Sequence, residues 1–399
     1  MSSRYKMTRL QLTGLSLVIA ILFIDMLLYS LIIPVTPYLT QKLQPSSTMT
    51  GILFSSYAIA LFAFTPILGP LSDRIGRKKP ILIGLAGMTL STLLFAYAES
   101  MWMLIGARFL QGIAAAATWT AALALLADLF PPKMRGGAMG TALTGMSLGT
   151  LLGAPFGGWL LDFGGYATPF YFAAGLTVVC IGLVFFLLRE PPRIQEEKTN
   201  ALYLLRNRSV LFIAGVVLTA ETVLTLLEPI LPVFLTERVA ASPSMIGLLF
   251  AVMSVAYGAV APLSGMLADR WNPRYLMLIG LSCLAASMPL IAVSQTMWQQ
   301  AGAMLLVGAS VGFALSPTLS TLGTIVDSGG NAGSYGAAYS LFNMFHAVGM
   351  IVGPFLGGVL TDTFSVPKTI YLVSSALLLA GFLLFYLMTA GQKRTRNLL

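Results

Sequence analysis

Charge is scarce in this chain: Asp, Glu, Lys and Arg together make up 9% of its 399 residues, and there is a single histidine. Soluble domains carry about a quarter of their residues as charges, so a water-soluble globule is excluded. The two cysteines, Cys180 and Cys283, lie far apart within apolar runs. Neither a disulfide framework nor a Cys/His metal set is indicated by them. No nucleotide-binding glycine loop and no nucleophile–base constellation is legible, which argues against an enzyme or an ATP-driven machine. The sequence therefore predicts a protein without cofactor. What fills the chain instead is apolar: 57% hydrophobic residues and a mean hydropathy of +0.85.

Runs of about 20 apolar residues are long enough to cross a bilayer. Twelve are predicted, at roughly 12–39, 49–72, 80–98, 101–127, 134–163, 167–188, 207–236, 245–268, 274–294, 297–326, 333–362 and 367–390. The first is too long, and lacks a small-residue cleavage site, to be a removable signal peptide. An even number of spans puts both ends on one side. Of the 23 Lys and Arg, nineteen lie in the termini and connections of that side, three (Lys42, Arg238 and Lys368) lie on the other, and Arg108 is inside a span. By the positive-inside bias both termini are expected in the cytoplasm. That bias also accounts for the +9 net charge without a nucleic-acid partner.

The chain repeats itself. GILFSSYAIALFAFTPILGPLSDRIGRK from Gly51 returns as GLLFAVMSVAYGAVAPLSGMLADRWNPR from Gly247, and GTLLGAPFGGWLLD from Gly149 returns as GMIVGPFLGGVLTD from Gly349. Two homologous six-span halves follow, 1–188 and 207–399, joined by a polar linker at 189–206, a parallel repeat of the kind found in secondary transporters. The fold class is thus an all-α polytopic membrane protein of twelve helices in two pseudo-symmetric halves.

Ionisable residues inside a span are costly, by about 2.5–3.5 kcal/mol on insertion scales, and ordinarily mark a cavity or a partner. Glu221 and Glu228 in ETVLTLLEPILP are seven residues apart, about two helical turns, and project from nearly one face. Pro229 and Pro232 follow at once and can kink the helix. Asp25 lies mid-span in the first helix and Arg108 in the fourth; a guanidinium keeps its proton and must find acceptors where it lies. The plain alternative is two acids satisfied by buried partners and serving packing alone. Surplus carboxylate in a low-dielectric wall attracts organic cations, and a proton can compete for the same oxygens. Tyr29, Tyr57, Trp119, Phe250, Tyr257, Tyr335 and Tyr339 are candidate ring faces for an ammonium group, each with packing as its alternative. His346 is a candidate proton relay or a satisfied interior histidine.

GPLSDRIGRKK (Gly69 to Lys79) resembles the loop 2–3 signature of the major facilitator superfamily, and RFLQG (Arg108 to Gly112) its fourth-helix signature. The series Gly145, Gly149, Gly153 and Gly157 is similar to the fifth-helix signature of the drug:proton antiporter branch, with Ala154 where that pattern has proline and Pro155 one place later. Recurring every fourth residue, these glycines also make a smooth strip for close helix contact. The resemblance implies an inner-gate network of Asp73, Arg74 and Arg77 with Asp128, against the plainer reading as topology-setting charge. It also implies that helices 1, 4, 7 and 10 line a central cavity.

Within that branch the chain looks like a bacterial relative of the vesicular monoamine transporters, in the surroundings of Asp25, Arg108 and Glu228. It departs in having Tyr57 where they have a helix 2 lysine, Leu315 where they have a helix 10 aspartate and Asn343 where they have a helix 11 aspartate. The function this implies is proton-coupled antiport, exporting cationic lipophilic drugs and monoamine-like compounds from a bacterial inner membrane, by a monomer. The alternative is a metabolite symporter or facilitator of the same superfamily. Asp25, Arg108, Glu221, Glu228, the six tyrosine and tryptophan candidates and Asn343 are the expected substrate and proton residues.

Overall fold

The computed structural model describes residues 7–190, 207–268, 270–328 and 335–396; the side chains of 132–133, 326–328, 335–340 and 387–396 lie outside that description, as does the expected linker beyond residue 190. Every regular element among the described residues is helical: α1 (Arg9–Leu31), a 3-10 turn (Ile33–Val35), α2 (Thr36–Leu43), α3 (Ser47–Ile75), α4 (Lys78–Ala96), α5 (Met101–Leu129), α6 (Pro132–Gly164), α7 (Thr168–Leu187), α8 (Arg208–Val239), α9 (Pro243–Ala268), α10 (Pro273–Val293), α11 (Met297–Ser328), α12 (Tyr335–Thr363) and α13 (Val366–Arg396). Polar residues start several of them. Thr8 closes a capping box with Gln11, and the Ser100, Asn207 and Asn272 side chains accept from the first-turn amides of α5, α8 and α10.

Eleven of the described helices are long and apolar enough to cross a membrane. The remaining expected span, α6, runs for 33 residues but is diluted by glycine, which adds length without hydropathy. The first span is not one helix: α1 stops at Leu31 and the chain passes through a 3-10 turn before α2. Pro34 and Pro37 explain the break, since each lacks an amide donor and disfavours helical geometry in the residue before it. By contrast α8 continues through Pro229 and Pro232.

The chain packs as two compact units, Met1–Val35 with Ser56–Glu197, and Thr36–Ser55 with Lys198–Leu399. In the first, α1 lies on α6 and α4 on α5 and α7; in the second, α8 lies on α12 and α10 on α11 and α13. The second also takes in α2, which packs on α8, and the first turns of α3, whose Ser47 and Thr48 amides both donate to Asp362 of α12 at 2.8 Å.

The repeat survives at the level of single glycines. A β-carbon on Gly112 of α5 would strike the Tyr57 carbonyl of α3, and one on Gly308 of α11 would strike the Met253 carbonyl of α9. Gly84 abuts the Thr118 amide and Gly280 the Ala314 amide in the same way. All four pairs are related by the 196-residue offset of the longer sequence repeat. The strip of Gly145, Gly149, Gly153 and Gly157 lies on the carbonyls of Ile19, Phe23, Leu27 and Leu31 in α1, leaving no room for a side chain. In the second unit Gly349, Gly353 and Gly357 press on Glu221, on Thr222 and Thr225, and on Leu226 of α8.

Candidate functional site

Two buried polar clusters stand out, one in each unit. In the first, Asp25 of α1 is fully buried. Its Oδ2 accepts from the Tyr57 hydroxyl at 2.9 Å and from Trp119 Nε1 at 2.5 Å. Its Oδ1 has no hydrogen-bond partner among the described residues. Beside it Arg108 of α5, 1% exposed, donates from Nη1 to Gln111 Oε1 at 2.8 Å and from Nη2 to the Tyr29 carbonyl at 2.9 Å. The guanidinium carbon also sits 4.6 Å from the centre of the Tyr29 ring and 5.2 Å from that of Tyr57, two rings that touch each other at 5.1 Å. The acceptors expected for Arg108 are thus a carbonyl, an amide oxygen and two π faces. Tyr57 ties the pair together, its hydroxyl on the acid and its ring under the cation. This cluster brings Asp25, Tyr29, Tyr57, Arg108 and Trp119 into one group, and its one acid is balanced by its one base.

The second cluster sets two acids against one imidazole. Glu221 and Glu228 of α8 are 5% and 8% exposed. His346 of α12 brings Nδ1 to 2.9 Å from Glu221 Oε1, an ion pair when the imidazole is protonated but not aligned as a hydrogen bond. Tyr257 lies on α9 and is half-buried. Phe342 stacks on the imidazole at 6.2 Å and 15°. Main-chain contacts hold the two helices in register: Thr225 Oγ1 donates to the Glu221 carbonyl at 2.7 Å and to the Gly349 carbonyl at 3.2 Å. Ser30 of α1 does the same in the first unit, to Met26 at 2.9 Å and Gly149 at 3.4 Å. Asn343, one turn from His346, is exposed, and Phe250 is buried in the core. Tyr335 and Tyr339 lie on α12, but their side chains are outside the described part.

A third group closes the connection between α3 and α4. Arg77 donates from Nη1 to Asp73 and from Nε to Asp128, each at 2.7 Å, and to Ser72 at 3.2 Å. Burial works against its charge, but its hydrogen bonds to Asp128 and Asp73, with their negative charge, outweigh that and hold the guanidinium above its ordinary range. Gly76 turns the chain at φ +100°, a conformation that glycine adopts without strain. Glu190 then accepts from the Lys78 amide at 2.8 Å. Arg74, on the last turn of α3, is exposed.

Sequence reasoning missed Gln111, Thr225, Ser30 and Glu190 as members of these groups. Gln111 was in plain view inside RFLQG, where its spacing of three from Arg108 puts both on one helix face. Thr225 and Ser30 carried no signal, because a hydroxyl bonded to the preceding turn is common throughout such helices.

Residues 18–228 and again 213–398 match the Major Facilitator Superfamily. The chain is 31% identical to the chromaffin granule amine transporter of Rattus norvegicus over 84% of its own length and 65% of that protein's. It is 30% identical to the protein of the same name from Homo sapiens, over 90% of this chain and 68% of that one, and 28% identical to the human synaptic vesicular amine transporter, over 89% and 70%. It therefore spans about two thirds of the length of these relatives. Among solved structures it matches a bacterial homologue of the human lysosomal transporter Spinster, in an inward-facing and occupied conformation, with a TM-score of 0.85 over 96% of this chain and 98% of that one. At 16% identity that likeness concerns the fold alone.

Proposed function

Because the chain belongs to the Major Facilitator Superfamily, as a multi-pass membrane transporter related to the vesicular amine transporters, we propose that it is a proton-coupled antiporter. Its cargo would be cationic lipophilic drugs and monoamine-like compounds, exported by alternating access of the halves 1–188 and 207–399. The observation that carries this reading is that two acids of one apolar span, Glu221 and Glu228, are both buried on α8, with His346 Nδ1 2.9 Å from Glu221 Oε1. Two carboxylates buried in one apolar span favour binding of an ammonium group, of protons, or of each in turn. The relatives whose names specify amines support the same class of cargo. In the first cluster Arg108 lies over Tyr29 and Tyr57, so we assign it to shaping the path, with Asp25 Oδ1 as a candidate acceptor for cargo.

The basic bias of the connections supports an orientation with both termini cytoplasmic. A monomer suffices, since each cluster is completed within one chain.

Inverted vesicles test this. An imposed inside-acid gradient should drive uptake of labelled tyramine and of ethidium, and a protonophore should abolish it. Uptake indifferent to the gradient removes the coupling, and uptake driven by the opposite gradient identifies a symporter.

A further inference from the structure

Resting on the reading that transport runs by alternating access, we propose that Thr36–Ser55 is an outer gate segment and that Asp362 of α12 is the residue that latches it. The segment holds α2, the link 44–46 and the first turns of α3; it lies in the first half of the sequence but packs with the second unit. Within it α2 lies on α8. The start of α3 lies on α12 through a row of contacts in antiparallel order. The Ser47 and Thr48 amides donate to Asp362 Oδ1 and Oδ2, each at 2.8 Å. A β-carbon on Gly358 would strike the Ser47 carbonyl, and one on Gly51 would strike the Pro354 carbonyl. Ser55 Oγ closes the row by donating to the Ile351 carbonyl at 2.7 Å.

Both ends of the segment coincide with a place where the backbone can bend. At its start the 3-10 turn Ile33–Val35, with Pro34, separates α1 from α2. At its end the division between the units falls between Ser55 and Ser56, inside α3. These adjacent serines bond in opposite directions, Ser55 to α12 and Ser56 to the Ile105 carbonyl of α5 at 3.5 Å. Pairs of Gly or Ser are among the places where helices kink.

The helix α3 does not need Asp362 in order to begin. Ser46 Oγ accepts from the Met49 amide at 3.1 Å, so α3 carries its own cap. Asp362 takes the two amides before that one through exposed bonds, and water satisfies those amides when the helix departs. The rest of the row is mainly backbone against glycine, a surface that parts and re-forms without side chains having to disengage. Asp362 is therefore the charged fastening of the row, with both of its oxygens used on it. By the distribution of basic residues it stands on the side of Lys42 and Lys368, away from the termini. The same helix carries a charged contact at each end, this one at its first turn and the Arg77 group beyond its last.

A thiol placed under the contact tests this. Ser55 is 2% exposed, so in a chain with Cys180→Ala and Cys283→Ala the change Ser55→Cys reports whether α3 has left α12. A membrane-impermeant methanethiosulfonate bearing a sulfonate is applied to right-side-out vesicles. Adding Asp362→Ala should raise the rate of modification about tenfold, because two bonds to a charged acceptor are lost. Asp362→Asn, with one amide oxygen for two donors, should fall between Asp362→Ala and wild type. Gradient-driven ethidium transport should slow about tenfold in Asp362→Ala while equilibrium binding of ethidium stays within about threefold, since a gate shifts populations without making the site. A merely structural cap lowers the melting temperature in detergent and leaves the modification rate unchanged, and that result overturns the proposal. A rise seen only from the cytoplasmic face, in inverted vesicles, overturns it as well. If the cysteine chains do not fold, hydrogen exchange of wild type and Asp362→Ala decides: amides 47–55 should exchange about tenfold faster while those of α8 around Thr225 keep their rate, and equal or uniformly faster exchange rejects the latch. Wild-type vesicles that show no gradient-driven uptake reject antiport itself, whereas the thiol rate in Asp362→Ala bears on the latch alone.

Discussion

Asp25 gives up one carboxylate oxygen to two donors and keeps the other open, whereas Glu228 lies on a helix with a second acid two turns away. These surroundings separate three roles that a bare count of intramembrane acids leaves together. Glu228→Gln should weaken cation binding by about tenfold or more, close to 1.4 kcal/mol. Glu221→Gln should spare binding while slowing proton-driven transport, and Asp25→Asn should damage both, since the amide nitrogen or oxygen it introduces cannot accept from both Tyr57 and Trp119 while leaving a charged oxygen open. Binding isotherms at several pH values in each variant check this, and retention of pH-dependent transport by Glu228→Gln together with loss of binding in Glu221→Gln reverses the roles. At this scale the acids and Arg108 were legible in the sequence, because charge in an apolar run is conspicuous. Their partners were not: that Tyr57 joins Asp25 to Arg108, or that His346 meets Glu221, depends on the rotation of helices about their axes and on pairing across 125 residues.

Helices are where the sequence spoke most clearly and where its silence is most informative. A hydropathy window counts proline as nearly neutral, so it ran the first span straight through Pro34 and Pro37, where the backbone in fact breaks between α1 and α2. The same window undervalues α6, whose glycines lower hydropathy because they are there for contact. That contact is testable. Gly149→Leu places a side chain on the Phe23 carbonyl and should destabilise the protein by at least the roughly 1–3 kcal/mol typical of overpacking, read as a lower melting temperature in detergent. Gly140, on the same helix, has nothing within 4 Å of the point where a β-carbon would stand, so Gly140→Ala should be neutral or slightly stabilising, since alanine favours helix. Equal destabilisation by both would mean that the cost does not come from the approach of the strip to α1.

For the whole molecule the repeat is strong in packing and weak in chemistry. The glycine contacts at Gly84, Gly112, Gly280 and Gly308 recur at one offset, whereas the charges recur only in part, Asp25 falling on Glu221 and Asp73 and Arg74 on Asp269 and Arg270 in the sequence. Arg77 has Pro273 at the corresponding place, and Asp128 has Thr324, so the network of Arg77 with Asp73 and Asp128 belongs to one unit alone. An asymmetric bolt in a symmetric frame biases one state of a two-state cycle, which is the role expected of a gate. Its cation keeps its charge, because Asp128 and Asp73 outweigh the burial of Arg77, so nothing in it titrates the guanidinium across the neutral range. The pH dependence of transport must then arise elsewhere, and Arg77→Ala should leave its midpoint in place while slowing turnover by about tenfold. Equilibrium binding of ethidium should stay within about threefold, because the network is built at the connection between α3 and α4 and not on the acids within the spans. Asp73, nearly half exposed, contributes less than Asp128, whose side chain is 5% exposed, so Asp128→Asn should slow turnover more than Asp73→Asn. Stopped-flow exchange compared with equilibrium binding separates the two quantities; loss of binding with exchange of bound cargo still fast would place Arg77 in the binding site and not at a gate.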